Sequence, residues 1–166
     1  QLESSMSIVA CILPDSSLME QTRLAFQDGH DDIRLEVGLM QEGIWQAEKL
    51  AEAGFEVFVS RGMTAHLIKE ANPEWSVVEI PFTVMDVFQT IERAKLYGKS
   101  IGVIAFEPMI SGLDYFGTIM DTSIRFYPLK SENEVESKVL EAIEDNVDII
   151  VGGAITGNVV NKRKIP

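Results

Sequence analysis

Apolar residues recur along this chain in two rhythms. Short continuous or alternating runs predict strands, and longer stretches with an apolar residue every three or four positions predict helices. Ser7 to Leu13 (SIVACIL) is continuous and ends at a Pro-Asp-Ser turn, as a buried parallel strand would. Ser17 to Asp28 carries Leu18, Leu24 and Phe26 among polar residues and stops at Gly29, which predicts a helix. Ile33 to Val37 alternates as a strand. Gly43 to Ala53 then sets Ile44, Ala47, Leu50 and Ala51 on one helical face, with Gly54 as the terminating glycine. Phe55 to Val59 is a third strand, Thr64 to Ala71 a short helix closed by Asn72-Pro73, and Val77 to Ile80 a fourth strand ended by Pro81. From Thr83 to Tyr97, Val84, Val87, Phe88, Ile91, Ala94 and the stem of Lys95 recur at helical spacing before Gly98. Ser100 to Phe106 (SIGVIAF) matches SIVACIL in type, and Glu132 to Glu144 predicts a further helix.

The pattern repeats itself. EVFVSRGMTAHLIKE, Glu56 to Glu70, aligns without gaps with DIIVGGAITGNVVNK, Asp148 to Lys162. Val59 meets Val151, Gly62 meets Ala154, Thr64 meets Thr156 and Ile68 meets Val160, each 92 positions apart (151 − 59). Ser7 and Ser100 stand 93 apart, and Ile33-Arg34-Leu35 stands 91 from Ile124-Arg125-Phe126. Adding 92 to Gly54 gives Asn146, another residue that tolerates the left-handed region, just after the helix ending at Glu144. Three strands, one helix and one loop recurring in order predict an α/β fold. It consists of two similar Rossmann-like lobes with largely parallel sheets, related by internal duplication, with a cleft between them. The expected boundaries are 7–82 for the first lobe, 83–98 for a joining helix and 99–166 for the second lobe. Residues 1–6 read as an expression scar followed by Met6 as the natural start. The second copy stops at Ile165-Pro166, where the first goes on to a fourth strand, so that strand is either cut off or absent.

The repeated loops carry the candidate chemistry. Ser60, Arg61, Gly62 and Thr64 follow a strand and open a helix, where backbone N–H groups, hydroxyls and a guanidinium suit a carboxylate or phosphate. Gly152, Gly153 and Thr156 offer the same geometry without the arginine. A tight turn and a helix cap account for the second loop equally well. Arg61 tilts the first toward a ligand. Pro14, Asp15 and Ser16 occupy an equivalent mouth, as do Glu107, Pro108 and Ser111, and these positions are more often caps than contacts. Asp86 either complements the dipole of the 83–97 helix or faces the cleft.

Charge and composition narrow the field further. Lys and Arg total 14 against 26 Asp and Glu, a formal charge of −12, and the largest basic cluster is KRK at Lys162 to Lys164. Such a surface repels phosphate backbones, so no direct nucleic-acid binding is expected of this segment. No apolar run long enough to span a bilayer and no secretion signal occurs, giving a soluble, cytoplasmic expectation with no membrane partner. Cys11 is the only cysteine and sits in an apolar run, as an inert core residue would. His30 and His66 have no partner at metal-binding spacing, and Asp28, Asp31 and Asp32 lack the order of a calcium loop. No dinucleotide fingerprint or P-loop is present. No catalytic residue, metal or cofactor is therefore assigned.

SRGMTA, followed by VVEIPFTVMDVFQTIERAKLYGKSIGVIAF and then by VDIIVGGAIT, resembles the N-terminal sensor domain of the propionate catabolism activators, the PrpR type. The resemblance runs from about Ser7 to Pro166, with three separate blocks in order. It implies the receptor domain of a sigma-54-dependent transcriptional activator, with an AAA+ ATPase module and a helix-turn-helix in the same full-length chain. The effector associated with the family's name is 2-methylcitrate, a tricarboxylate, which fits an arginine-bearing anion loop. The family motif usually reads SRGGTA, and Met63 in place of that glycine narrows the loop, so the effector need not be the archetype's. Residues Gly152 to Thr156 resemble the family's GGAVT-type segment. Two readings of different class follow: a sensing domain for a small organic anion, as a monomer or homo-oligomer, or a small α/β enzyme acting on a carboxylate in the cleft. A cysteine-pair racemase needs a thiol in each half, and the position 93 residues after Cys11 is Ile104.

Overall fold

The computed structural model describes residues 8–26 and 32–164. Ser7, the end of the first expected helix at Asp28, residues 29–31 of the acidic turn and Ile165-Pro166 lie outside the described residues. Contacts divide the chain into Gln1–Pro81 and Phe82–Pro166.

In the first unit, β1 (Val9–Leu13), β2 (Ile33–Val37), β3 (Val57–Arg61) and β4 (Ser76–Ile80) form a parallel sheet in the order β2-β1-β3-β4. Helices α1 (Ser16–Ala25), α2 (Gln41–Glu52) and α3 (Gly62–Ala71) make the crossovers. The apolar run of β1 is central, and four of its five residues are buried. The core is built by Ala10, Ile12, Ala47, Leu50, Phe58 and Ile68, and Trp75 lies tilted against Phe58 with ring centroids 5.1 Å apart.

The second unit begins with α4 (Val84–Ala94), whose Ile91 and Ala94 pack into the core of this unit with Ile101, Val103 and Ile110. Its start is a complete capping box: Asp86 N–H donates to Thr83 Oγ1, and Thr83 N–H donates to Asp86 Oδ2 at 2.8 Å. Asp86 thus complements its own helix. Strands β5 (Ser100–Phe106), β6 (Ser123–Leu129) and β7 (Ile149–Gly152) form a parallel sheet in the order β6-β5-β7. Pro128 is accommodated because β6 is an edge strand. Two short helices, α5 (Glu107–Ile110) and α6 (Phe116–Ile119), lie between β5 and β6; α7 (Val135–Glu144) precedes β7, and α8 (Ala154–Arg163) follows it.

The duplication is written in the strand register. Val9 pairs with Ile33 and Val57, and Ile101 pairs with Ile124 and Ile149. The central strands β1 and β5 are displaced by 92 (101 − 9), as are β3 and β7 (149 − 57), and β2 and β6 by 91 (124 − 33). Helices α3 and α8 obey the same offset at both ends, from Gly62 to Ala154 and from Ala71 to Arg163. Two lobes of like topology result, each a small doubly wound layer. The first differs in adding β4 beyond β3.

Candidate functional site

Parallel strands deliver their C-terminal ends, and the N-termini of the following helices, to one edge of each sheet, which is where open α/β folds hold ligands. In the first lobe that edge carries Pro14, Asp15 and Ser16 after β1, with Ser60, Arg61, Gly62 and Thr64 at the end of β3 and the start of α3. Asp15 is the N-cap of α1, its Oδ1 accepting from Leu18 N–H at 2.8 Å. Pro14 is half-buried beside it, and Ser16 is exposed as the first helical residue.

Ser60 and Arg61 belong to the strand, which runs two residues into the expected loop, because β3 is paired through Arg61 with Ile80 of β4. Ser60 is fully buried, and its Oγ donates to the Ile12 carbonyl at 2.7 Å. That bond continues the β1–β3 contact one step past its last backbone pair, Cys11 with Val59. Thr64 is buried as well. Its Oγ1 accepts from Met40 N–H at 3.0 Å, holding Met40 at φ 55°, a region that side chains disfavour. The Thr64 methyl fills the notch over Gly43, where an added Cβ would come within 2.4 Å. The Ser60 hydroxyl therefore ties the end of β3 to β1, and the Thr64 hydroxyl ties the start of α3 to the start of α2. Arg61 is half-buried at the strand end, and Gly62 turns the chain into α3 with φ 59°.

In the second lobe, Gly152 is forced by its neighbour: a Cβ there would stand 2.5 Å from that of buried Thr156. Gly153 is the exposed N-cap of α8, with no side-chain cap bond and nothing within 4 Å of where a Cβ would stand. Glu107 is exposed as the first residue of α5.

Sequence reasoning missed a pocket in this lobe. A cavity of about 130 Å³ opens where α4 and α5 meet the C-terminal ends of β5 and β7. Its floor is Ile91, Val103, Ile104 and Ile110, and exposed Thr90 and Gly153 stand at its mouth. The chain leaves β5 for β6 on one side, and β7 pairs on the other, so the pocket sits at the topological switch point of this sheet. The apolar face of α4 is visible in the sequence, but the strands that meet it are not adjacent in the chain.

Titratable groups outside these edges serve structure. Burial raises the Cys11 thiol above its ordinary range, as befits a core residue. His66 lies on the exposed face of α3 beside Glu70, at 3.3 Å. Tyr127 donates to Asp145 at 2.8 Å; that bond, with a smaller contribution from Arg125, holds the Asp145 carboxyl below the usual carboxylate range. Among the described residues no cluster of three or more His, Cys, Asp or Glu is placed to hold a metal. No helix there is long and apolar enough to cross a membrane.

Residues 27–166 match the family model PrpR_N, the propionate catabolism activator. The chain belongs to this family. A crystal structure of an NtrC family transcriptional regulator from Clostridium acetobutylicum is similar in fold, with a TM-score of 0.82 at 19% identity over 96% of this chain and 84% of that one. The ABC domain in complex with L-Trp from Streptococcus pneumonia matches at a TM-score of 0.54 and 14% identity, over 98% of this chain and 73% of that one. No curated protein gives a significant match. The propionate catabolism activator match covers β2 through α8, and so takes in both copies of the strand-loop-helix repeat.

Proposed function

We propose that this chain is the effector-sensing regulatory domain of a sigma-54-dependent transcriptional activator, and that its effector is a small carboxylate-bearing organic anion. The family match over residues 27–166 carries the reading. The geometry of the first lobe supports the anion. Arg61 ends β3 and is the N-cap of α3, whose first N–H groups have no acceptor within the helix, so a planar donor and a helix N-terminus lie side by side. Gly62 keeps a side chain out of the approach. Ser60 and Thr64 hold the end of β3 and the start of α3 through their internal bonds, and the donors assigned to the ligand are the Arg61 guanidinium and the backbone N–H groups that open α3. In the second lobe the uncapped start of α8 at Gly153 offers corresponding donors. Binding and release of the effector then control the AAA+ and helix-turn-helix modules of the full-length chain, and the domain itself performs no turnover.

A thermal-shift screen of di- and tricarboxylates, sugar phosphates and neutral sugars tests this. A ligand at a hundred times its Kd stabilises by about 2.7 kcal/mol, a rise of roughly 5–10 °C for a domain of this size. Stabilisation by anions is the expected result. Stabilisation by neutral sugars alone overturns the anionic effector.

A further inference from the structure

We infer that the pocket of the second lobe receives an apolar moiety of about four to six carbons carried by a small organic acid. The inference rests on the effector-sensing reading and adds to it the chemistry that the second lobe by itself would select.

The floor of the pocket is hydrocarbon throughout: Ile91, Val103, Ile104 and Ile110 are buried at its base, and Val87 and Val151 stand at its sides. No Lys or Arg lines it, and the acid that does, Asp86, carries a like charge to that of a carboxylate ligand. An anionic head placed here would lose its water against apolar walls and a neighbouring negative charge. An apolar group would lose only its exposure to water. At about 130 Å³ the space approaches the dry 150 Å³ cavity that takes up benzene, which sets the size at a small ring or a branched chain.

The mouth is open for a reason local to its glycines. Gly152 has no room for a side chain beside Thr156. Gly153 has room and an ordinary φ of −79°, so neither backbone nor packing demands glycine there. The Ser, Thr, Asp or Asn that usually caps a helix would add a hydrogen bond at this position. Glycine forgoes that bond and leaves the pocket accessible. Citrate, whose two methylenes each lie directly beside a carboxylate, has no apolar end to place in such a site.

The experiment is calorimetry with straight-chain carboxylates from acetate to octanoate, together with 4-methylpentanoate, phenylacetate, citrate and neutral 4-methylpentanamide. Methyl NMR of Val87, Val103, Ile110 and Val151 is followed alongside. Affinity is expected to rise about fourfold per methylene up to roughly six carbons and then to stop rising, with shifts at those methyls. Gly153→Leu, which the surrounding space tolerates, and Val87→Phe are each expected to flatten the series. Affinity independent of tail length overturns the inference and leaves the anion reading standing. Binding of the neutral amide as tightly as the acid, with the same methyl shifts, supports the pocket and counts against the anion. Silence of those methyls with every acid and with the amide overturns the pocket.

Discussion

Gly54 and Asn146 stand 92 positions apart and both turn to positive φ, 94° and 55°, two residues after the ends of α2 and α7. The turn returns each chain to the strand that follows. Glycine enters that region without strain, and asparagine is among the side chains that tolerate it. Gly54→Ala and Asn146→Ala are each expected to destabilise the chain by about 1 kcal/mol, and Asn146→Gly to cost almost nothing. Urea unfolding checks this. Equal stability of both alanine variants and the wild type would mean that the left-handed backbone at these two turns carries no cost for alanine.

Ser60 and Thr64 give a second test, because each makes one buried bond within its lobe. Thr64→Val leaves the Met40 N–H without its acceptor and is expected to cost about 1–3 kcal/mol, while Thr64→Ser keeps the bond and costs less. Ser60→Ala, which deprives the Ile12 carbonyl of a donor, falls in a range of about 1–2 kcal/mol. Denaturant midpoints measure the loss. Variants of unchanged stability that lose only ligand affinity would make these hydroxyls direct contacts instead.

Much of this fold was legible because the chain states it twice. Ile33–Val37 and Ser100–Phe106 coincide with their predicted runs, and the offset placed Asn146 at a positive-φ turn. What escaped was short or nonlocal. Helices α5 and α6 have four residues each, too few to show a period. Ser60 and Arg61 read as loop because they are polar, yet backbone pairing with β4 keeps them in the strand. The partners of Ser60 and Thr64 are main-chain groups 48 and 24 residues away, so burial of the two hydroxyls left no trace in local pattern. The second-lobe pocket needed four elements to converge before it existed at all.

Asp148 sets a pH dependence. Its Oδ2 accepts from Ser100 N–H at 2.9 Å and Lys99 N–H at 2.8 Å, and these bonds, Ser100 first, hold its carboxyl below the usual carboxylate range. A carboxylate whose folded pKa is depressed contributes stability above its unfolded value of about 3.9, and that contribution is lost as pH falls toward and through the folded value. Urea midpoints between about pH 3 and 6 should therefore fall less steeply on acidification in Asp148→Asn than in the wild type. Parallel curves would show that the two N–H bonds do not favour the charged form.

Arg61 is the cation on which the sensing account turns. A guanidinium pairing bidentately with a carboxylate is worth on the order of 1–3 kcal/mol, and about 1.4 kcal/mol is a factor of ten in affinity. The direct measurement is calorimetry of the best-stabilising carboxylate on the wild type and on Arg61→Ala, with matching unfolding curves to show that both are folded. Affinity weakened by roughly tenfold or more is the result expected. Affinity unchanged by the substitution would contradict the account and place the anion elsewhere.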